Sequence, residues 1–508
     1  MRQHERHFGT ERLRTDLRHH SVRSGFVAAA GRVLQILLQI GSVMVLARIL
    51  TPGDFGVLAM VLPVTILVNT VANQGLQTTI IHRSELNQPD ASALFWLAIR
   101  VNFGVTILMG ASGPVLARIY HDDRITWYAA AWAFIIFGAS TAAVHEALLK
   151  RQMRFGTVTI AHVCALAAGV IAAVMAALLG ARHWALLVQI GVMELGRAGA
   201  MWAVSGWRPD GPRTAAAEGP DSLRTYWAGL AGFRLVSWLG DHIDRIVVGA
   251  IAGASILGLY DAARRWAWFV FIELFMTLSD VAVAALSRVQ KDASIYRAYV
   301  KSALLPMLAF PLPASAFIFV AAQDVVLVLL GDQWLGMQPF LRLMCVAAFF
   351  GSIGRLSQWI YLSRGETGRQ LRWAILSSPV LIVAVLVGAR WGAFGVAAGF
   401  TTATVMLSVP NVAWAVHDSA LSIRDVLAVA VRPAFGSILA ALVLAGSAPM
   451  LPAGLPLLLR FAAEAAVFGL VYALAWTVTA DGRAAMRRAF AVTRELRARP
   501  RDPGFRAQ

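Results

Sequence analysis

The sequence predicts an all-α integral membrane protein of about fourteen transmembrane helices. Three observations predict it. The chain is 58% hydrophobic and only 14% charged, with a mean hydropathy of +0.64, whereas soluble domains carry about a quarter charged residues. Apolar runs long enough to span a bilayer, ~20 residues each, recur along the chain. The basic residues then fall in alternate connectors, as the positive-inside rule requires.

Taken in order, the spans begin near Phe26, Phe55, Ala91, Thr126, Phe155, His183, Tyr226, Ser255, Ser302, Met337, Trp373, Phe394, Pro433 and Leu455. The first run, Phe26 to Leu50, is too long for a signal-peptide core and is expected to stay as a spanning helix. One set of connectors is short and rich in Gly or Pro, as in Thr51-Pro52-Gly53-Asp54 and Gly331-Asp332-Gln333-Trp334. The other set is basic. With both termini in the cytosol, thirty Lys and Arg fall on the cytosolic side, six and eight of them in the two tails. Only Arg118, Arg124, Arg182 and Arg390 fall opposite. A wrong helix count would scramble this split, so it supports an even number of spans. It also accounts for the net charge of +17 without nucleic acid as a partner.

Val45 to Met60 aligns without gaps on Val247 to Ala262, about 202 residues on, with Gly56 matching Gly258. Gly180-Ala181-Arg182 is echoed by Gly388-Ala389-Arg390 at nearly the same offset. Together they predict two six-helix lobes in parallel repeat, enclosing a central cavity and suited to rocking. The expected organisation is a basic tail at 1–25, an N-lobe at 26–206 and a linker at 207–224. A C-lobe at 225–416 follows, then helices thirteen and fourteen at 417–480 and a basic tail at 481–508.

Ionisable groups within spans are costly and face protein or water. Arg100, Arg197 and Arg234 lie deep, and their forked donors suit phosphate oxygens. Arg197 has a second reading, an ion pair with Glu194 one turn away. On the seventh span Arg234, Ser237 or Trp238, Asp241 and Asp244 or Arg245 recur on one face. Asp241 and Asp244 suit a coupling proton or Na⁺, or the neutralisation of Arg234 and Arg245. Arg264 and Arg265 stand beside Trp266 and Trp268, a pairing that fits a sugar phosphate or an interfacial aromatic belt. Arg32, Arg48, Arg355 and Arg460 fit snorkelling or structural pairing. His145 and Glu146 end the fourth span, where an interfacial position outweighs a proton relay. Cys164 and Cys345 read as small buried hydrophobes. No hydrolase, kinase or metal motif is present and no cofactor is expected, so the chain reads as a non-enzyme.

The stretch Leu46 to Arg83, LARILTPGDFGVLAMVLPVTILVNTVANQGLQTTIIHR, resembles the opening of the bacterial polysaccharide flippase family. That family belongs to the multidrug/oligosaccharidyl-lipid/polysaccharide exporter superfamily. Lys150-Arg151-Gln152-Met153-Arg154-Phe155 is similar to its basic loop after the fourth helix. Asp244 to Gly249 with Leu257 to Tyr260, and Leu330 to Trp334, resemble further segments. The resemblance implies a V-shaped twelve-helix core plus two helices in the inner membrane, with a cationic cavity. It also implies oligosaccharide on undecaprenyl diphosphate as substrate, for exopolysaccharide, capsule or O-antigen. Polysaccharide polymerase and glycosyltransferases are the candidate partners. Two other readings stand beside it: a multidrug extruder of the same superfamily, and a membrane polymerase or glycosyltransferase. Deep Arg residues oppose the first, and outer connectors no longer than about nine residues oppose the second.

Overall fold

The computed structural model describes residues 17–73, 86–211, 221–450, 452 and 454–477. The N-terminal tail through residue 16, the stretches 74–85 and 212–220, and the tail after 477 lie outside them. Among the described residues every regular element is helical. The helices are α1 (Leu17–Ile49), α2 (Pro52–Asn73), α3 (Gln88–Tyr120), α4 (Arg124–Ser140 and Ala143–Arg151), α5 (Phe155–Leu178) and α6 (His183–Ser205). Then come α7 (221–252), α8 (254–289), α9 (Ala293–Ala309 and Pro311–Val320) and α10 (Gln338–Arg355 and Ser357–Arg364). The last four are α11 (Thr367–Gly388), α12 (Gly392–Val416), α13 (Ile423–Ser447) and α14 (Leu457–Thr477). Each begins within about ten residues of its predicted start.

Local chemistry sets the helix ends. Thr51 and Asp54 form a reciprocal capping box at α2, Thr51 N–H donating to Asp54 Oδ2 at 2.9 Å and Asp54 N–H to Thr51 Oγ1 at 3.3 Å. Ser422 and Asp425 repeat it at α13. Asn87 caps α3 and Asp292 caps α9 through backbone N–H groups of the first turn. Between α7 and α8 the chain turns at one residue, Gly253, with φ 74° and ψ −177°. A side chain is strained in that region, so glycine makes this hairpin possible.

The helices group into two compact units. The first holds residues 1–262, 329–337 and 374–400. Inside it α5 packs on α6 and α1, and α3 on α4. The second holds 263–328, 338–373 and 401–508, with α9 packed on α10 and α13, and α13 on α14. Only 11% of the apolar window of α14 is buried by protein, which leaves the rest of its surface to lipid.

The two copies of the sequence repeat meet inside the first unit. A Cβ on Gly56 would stand 1.8 Å from the Ala254 carbonyl oxygen, and one on Gly258 would stand 1.9 Å from that of Pro52. Pro52 and Ala254 are aligned positions of the repeat, as are Gly56 and Gly258. The two contacts therefore exchange under the alignment, as expected when equivalent segments cross about a pseudo-two-fold axis. Gly53 and its aligned partner Ser255 face each other at the crossing. Trp334 closes over it, donating from Nε1 to the Ala47 carbonyl at 2.8 Å and meeting Phe55 edge-on at 5.1 Å. The second echo does not extend to conformation. Gly180 carries a positive φ of 83° after α5, whereas after α11 that role falls to Gly392 at 69°.

Candidate functional site

The interior charges of the first unit form two clusters. In one, Glu146 is 4% exposed and accepts from Arg197 Nη1 at 2.6 Å and Lys150 Nζ at 2.7 Å. His162 Nε2 lies 3.7 Å from it. Arg197 also binds Glu194 at 2.7 Å. Helices α4, α5 and α6 are thus pinned through one carboxylate, and the pairing read for Arg197 is present, with Glu146 as a second partner. Beside it His145 is fully buried, its Nδ1 2.8 Å from Ser205 Oγ and its ring 4.1 Å from that of Trp202. Its surroundings are an aromatic box with Trp207 and Phe95.

The second cluster spans the α7–α8 hairpin. Asp244 is fully buried and accepts from the Tyr260 hydroxyl at 2.5 Å. Arg245 Nε lies 2.8 Å from Asp261 Oδ1. Each partner is sixteen residues on, because Gly253 folds α8 back against α7. Asp241 is exposed on α7. Arg234 is placed on α7 by its backbone, and its side chain lies outside the described residues. Trp238 joins α7 to α2 by donating to the Pro63 carbonyl at 2.7 Å.

Arg100 differs from Arg197 and Arg245. It is exposed on α3, and its Nε makes a 3.3 Å bond to the Trp96 carbonyl. Its remaining donors therefore suit an anionic ligand. In the second unit Arg264 is buried, at 8% exposure, and Arg265 is exposed. The guanidinium that stacks on Trp268 belongs to Arg355, 4.8 Å from the ring centroid. Arg460 pairs with Asp324 on the short helix Ala322–Leu329. Cys345 is buried as expected, while Cys164 is exposed on the spanning helix α5. Among the described residues no three His, Cys, Asp or Glu gather as a metal site.

Sequence reasoning singled out neither Asp261 nor Tyr260 as partners, nor Asp324. The legible signal was Gly253: the pairs Asp244 with Tyr260 and Arg245 with Asp261 lie almost symmetrically about it.

The profile of a family described as polysaccharide biosynthesis protein matches residues 45–339. The chain belongs to that family. The match includes the repeat crossing, both charge clusters and the α7–α8 hairpin. Among relatives, the lipopolysaccharide biosynthesis protein WzxC of Escherichia coli is 23% identical over 404 residues, covering 77% of this chain and 80% of that protein. The succinoglycan biosynthesis transport protein ExoT of Rhizobium meliloti is 24% identical over 416 residues, covering 80% and 82%. Among solved structures, the lipid II flippase MurJ in an inward closed conformation aligns with a TM-score of 0.67 at 12% identity. The alignment covers 90% of this chain and 98% of MurJ, so the two share a fold.

Proposed function

We propose that this chain is an alternating-access flippase that moves oligosaccharide repeat units on undecaprenyl diphosphate across the inner membrane for surface polysaccharide assembly. The observation that carries the reading is the family match over residues 45–339. Relatives named for lipopolysaccharide biosynthesis and succinoglycan transport support it. The lobes are assigned to 26–206 and 225–416, with both termini cytoplasmic, on the repeat and the basic-residue asymmetry. Glycosyltransferases that build the unit act before it, and the polymerase acts after it, as partners.

The chemistry follows from charge. A diphosphate crossing hydrocarbon needs cations that protein carboxylates have not already neutralised. Arg100 meets that condition better than Arg197 and Arg245, and Arg234, Arg264 and Arg265 complete the proposed cationic set. Glu194, Asp241 and Asp244 are assigned to charge pairing or ion coupling. Asp244 is buried and already accepts a hydrogen bond from the Tyr260 hydroxyl, which supports a structural role for it. The test is deletion of the gene, followed by extraction of polyprenyl-linked lipids and assay of surface polymer. Loss of polymer with build-up of a complete lipid-linked unit is expected. Normal polymer with altered drug sensitivity would favour a multidrug extruder.

A further inference from the structure

A second charged site lies away from these clusters, in the second unit. There the start of α11 and the end of α12 enclose a cleft of about 780 Å³, lined by Arg369, Arg372, Trp373, Pro410, Trp414 and His417 among others. Two indoles form its wall, Trp373 and Trp414, with centroids 6.2 Å apart and planes at 41°. Trp414 is fixed by its Nε1 bond to the Arg369 carbonyl at 3.2 Å.

The acidic groups of the cleft are already matched. Glu366 pairs with Arg364 at 2.6 Å and with Arg369 at 3.4 Å. Asp418 lies 2.7 Å from His417 and 3.4 Å from Arg369. The hydrogen bond from His417 holds the Asp418 carboxyl below its usual range, so it stays charged and engaged. Arg369 also donates to the His417 carbonyl at 2.6 Å. These pairs leave Arg372 as the surplus charge. It is exposed, and its Nε reaches the Gly368 carbonyl at 3.4 Å.

The cleft is far too large for a single ion and fits a headgroup. Its tryptophans stand at the ends of two spanning helices, the depth at which indoles meet lipid headgroups. From it the exposed Pro410 and Ala413 continue along α12 and give a hydrocarbon tail a track. A basic pocket between helix ends is the form that binds anionic lipid heads. We propose that this cleft binds the phosphate headgroup of a membrane lipid, held by Arg372 with its glycerol or sugar portion against Trp373 and Trp414. The leaflet, the cytoplasmic one, rests on the orientation proposed above; the binding itself does not.

The purified full-length chain is titrated in detergent with phosphatidylglycerol, undecaprenyl phosphate or a phosphate-free diacylglycerol, and bound lipid is read by native mass spectrometry. Arg372→Gln is expected to weaken phospholipid binding about fivefold while leaving the diacylglycerol unchanged. Arg424→Gln, an exposed cation outside the cleft, is the comparison and keeps wild-type binding. Melting temperatures confirm that both variants fold. An effect of Arg372→Gln on one phosphate lipid alone identifies that lipid as the occupant. No effect on either, or an equal loss in Arg424→Gln, overturns the proposal. The readout needs no transport, so it stands or fails apart from the flippase reading.

Discussion

Gly56→Ala tests the crossing of the repeats. The added Cβ would stand 1.8 Å from a backbone oxygen, that of Ala254. Carbon and carbonyl oxygen do not normally approach closer than about 3.3 Å, so α2 and α8 must part by about 1.5 Å. No side chain can swing aside, because the obstacle is main chain. Overpacking of this kind costs about 1–3 kcal/mol, and a backbone obstacle puts the cost at the upper end. Gly258→Ala meets the Pro52 oxygen at 1.9 Å and is expected to cost as much. Because each variant alone separates the same two helices, the double variant should cost less than the two costs added together. The assay is the melting temperature of the purified chain in detergent, read beside surface-polymer output in cells. A Gly56→Ala protein that melts like wild type would show that α2 and α8 do not cross this closely at Gly56. Fully additive costs would refute the shared crossing.

Three further outcomes follow from the charged groups, two at the interior clusters and one at a connector. Glu146→Gln leaves Arg197 and Lys150 without their shared carboxylate and should destabilise the chain by about 3 kcal/mol. Glu194→Gln should cost less, since the Glu194 side chain is 30% exposed whereas Glu146 is buried; the two melting temperatures decide it. Tyr260→Phe removes a bond to the buried Asp244 carboxylate and should cost about 1.5–3 kcal/mol, seen as a lower melting temperature with helicity unchanged. The third concerns pH at the α3–α4 connector. Hydrogen bonding from Arg124 holds the Asp122 carboxyl below its usual range. A depressed folded value contributes stability above the unfolded value, about 3.9, that is lost as pH falls through the folded value. Arg124 is 48% exposed, so Arg124→Gln should cost under about 1 kcal/mol at pH 7. The gap to wild type should close in acid, and a gap that widens there would contradict the pairing.

The helices were legible because each spanning run must be apolar for ~20 residues whatever its neighbours are. Their starts were less so. The structure begins α1, α9 and α13 up to about ten residues early, at Leu17, Ala293 and Ile423. Charged turns such as that containing Arg424 and Asp425 carry these helices past the apolar core, where hydropathy gives no signal. The repeat was legible in Gly56 and Gly258, since only a residue without Cβ fits a crossing that close. The pairings were mostly not. Glu194 is one turn from Arg197 and shows in helical spacing, whereas Glu146 is 51 residues away on another helix. The stripe on α7 suggested neutralisation within one helix. The Arg245–Asp261 contact across the Gly253 turn depends on the hairpin, which single-helix periodicity does not encode.

Transport itself is tested most directly in proteoliposomes holding the purified chain and an undecaprenyl-diphosphate-linked oligosaccharide in both leaflets. A membrane-impermeant enzyme that cleaves the sugar is then added outside. The chain is expected to expose the inner-leaflet share as well, so that cleavage runs nearly to completion, and Arg100→Ala to slow this. Cleavage that stops at the outer-leaflet share, as in protein-free vesicles, would contradict it.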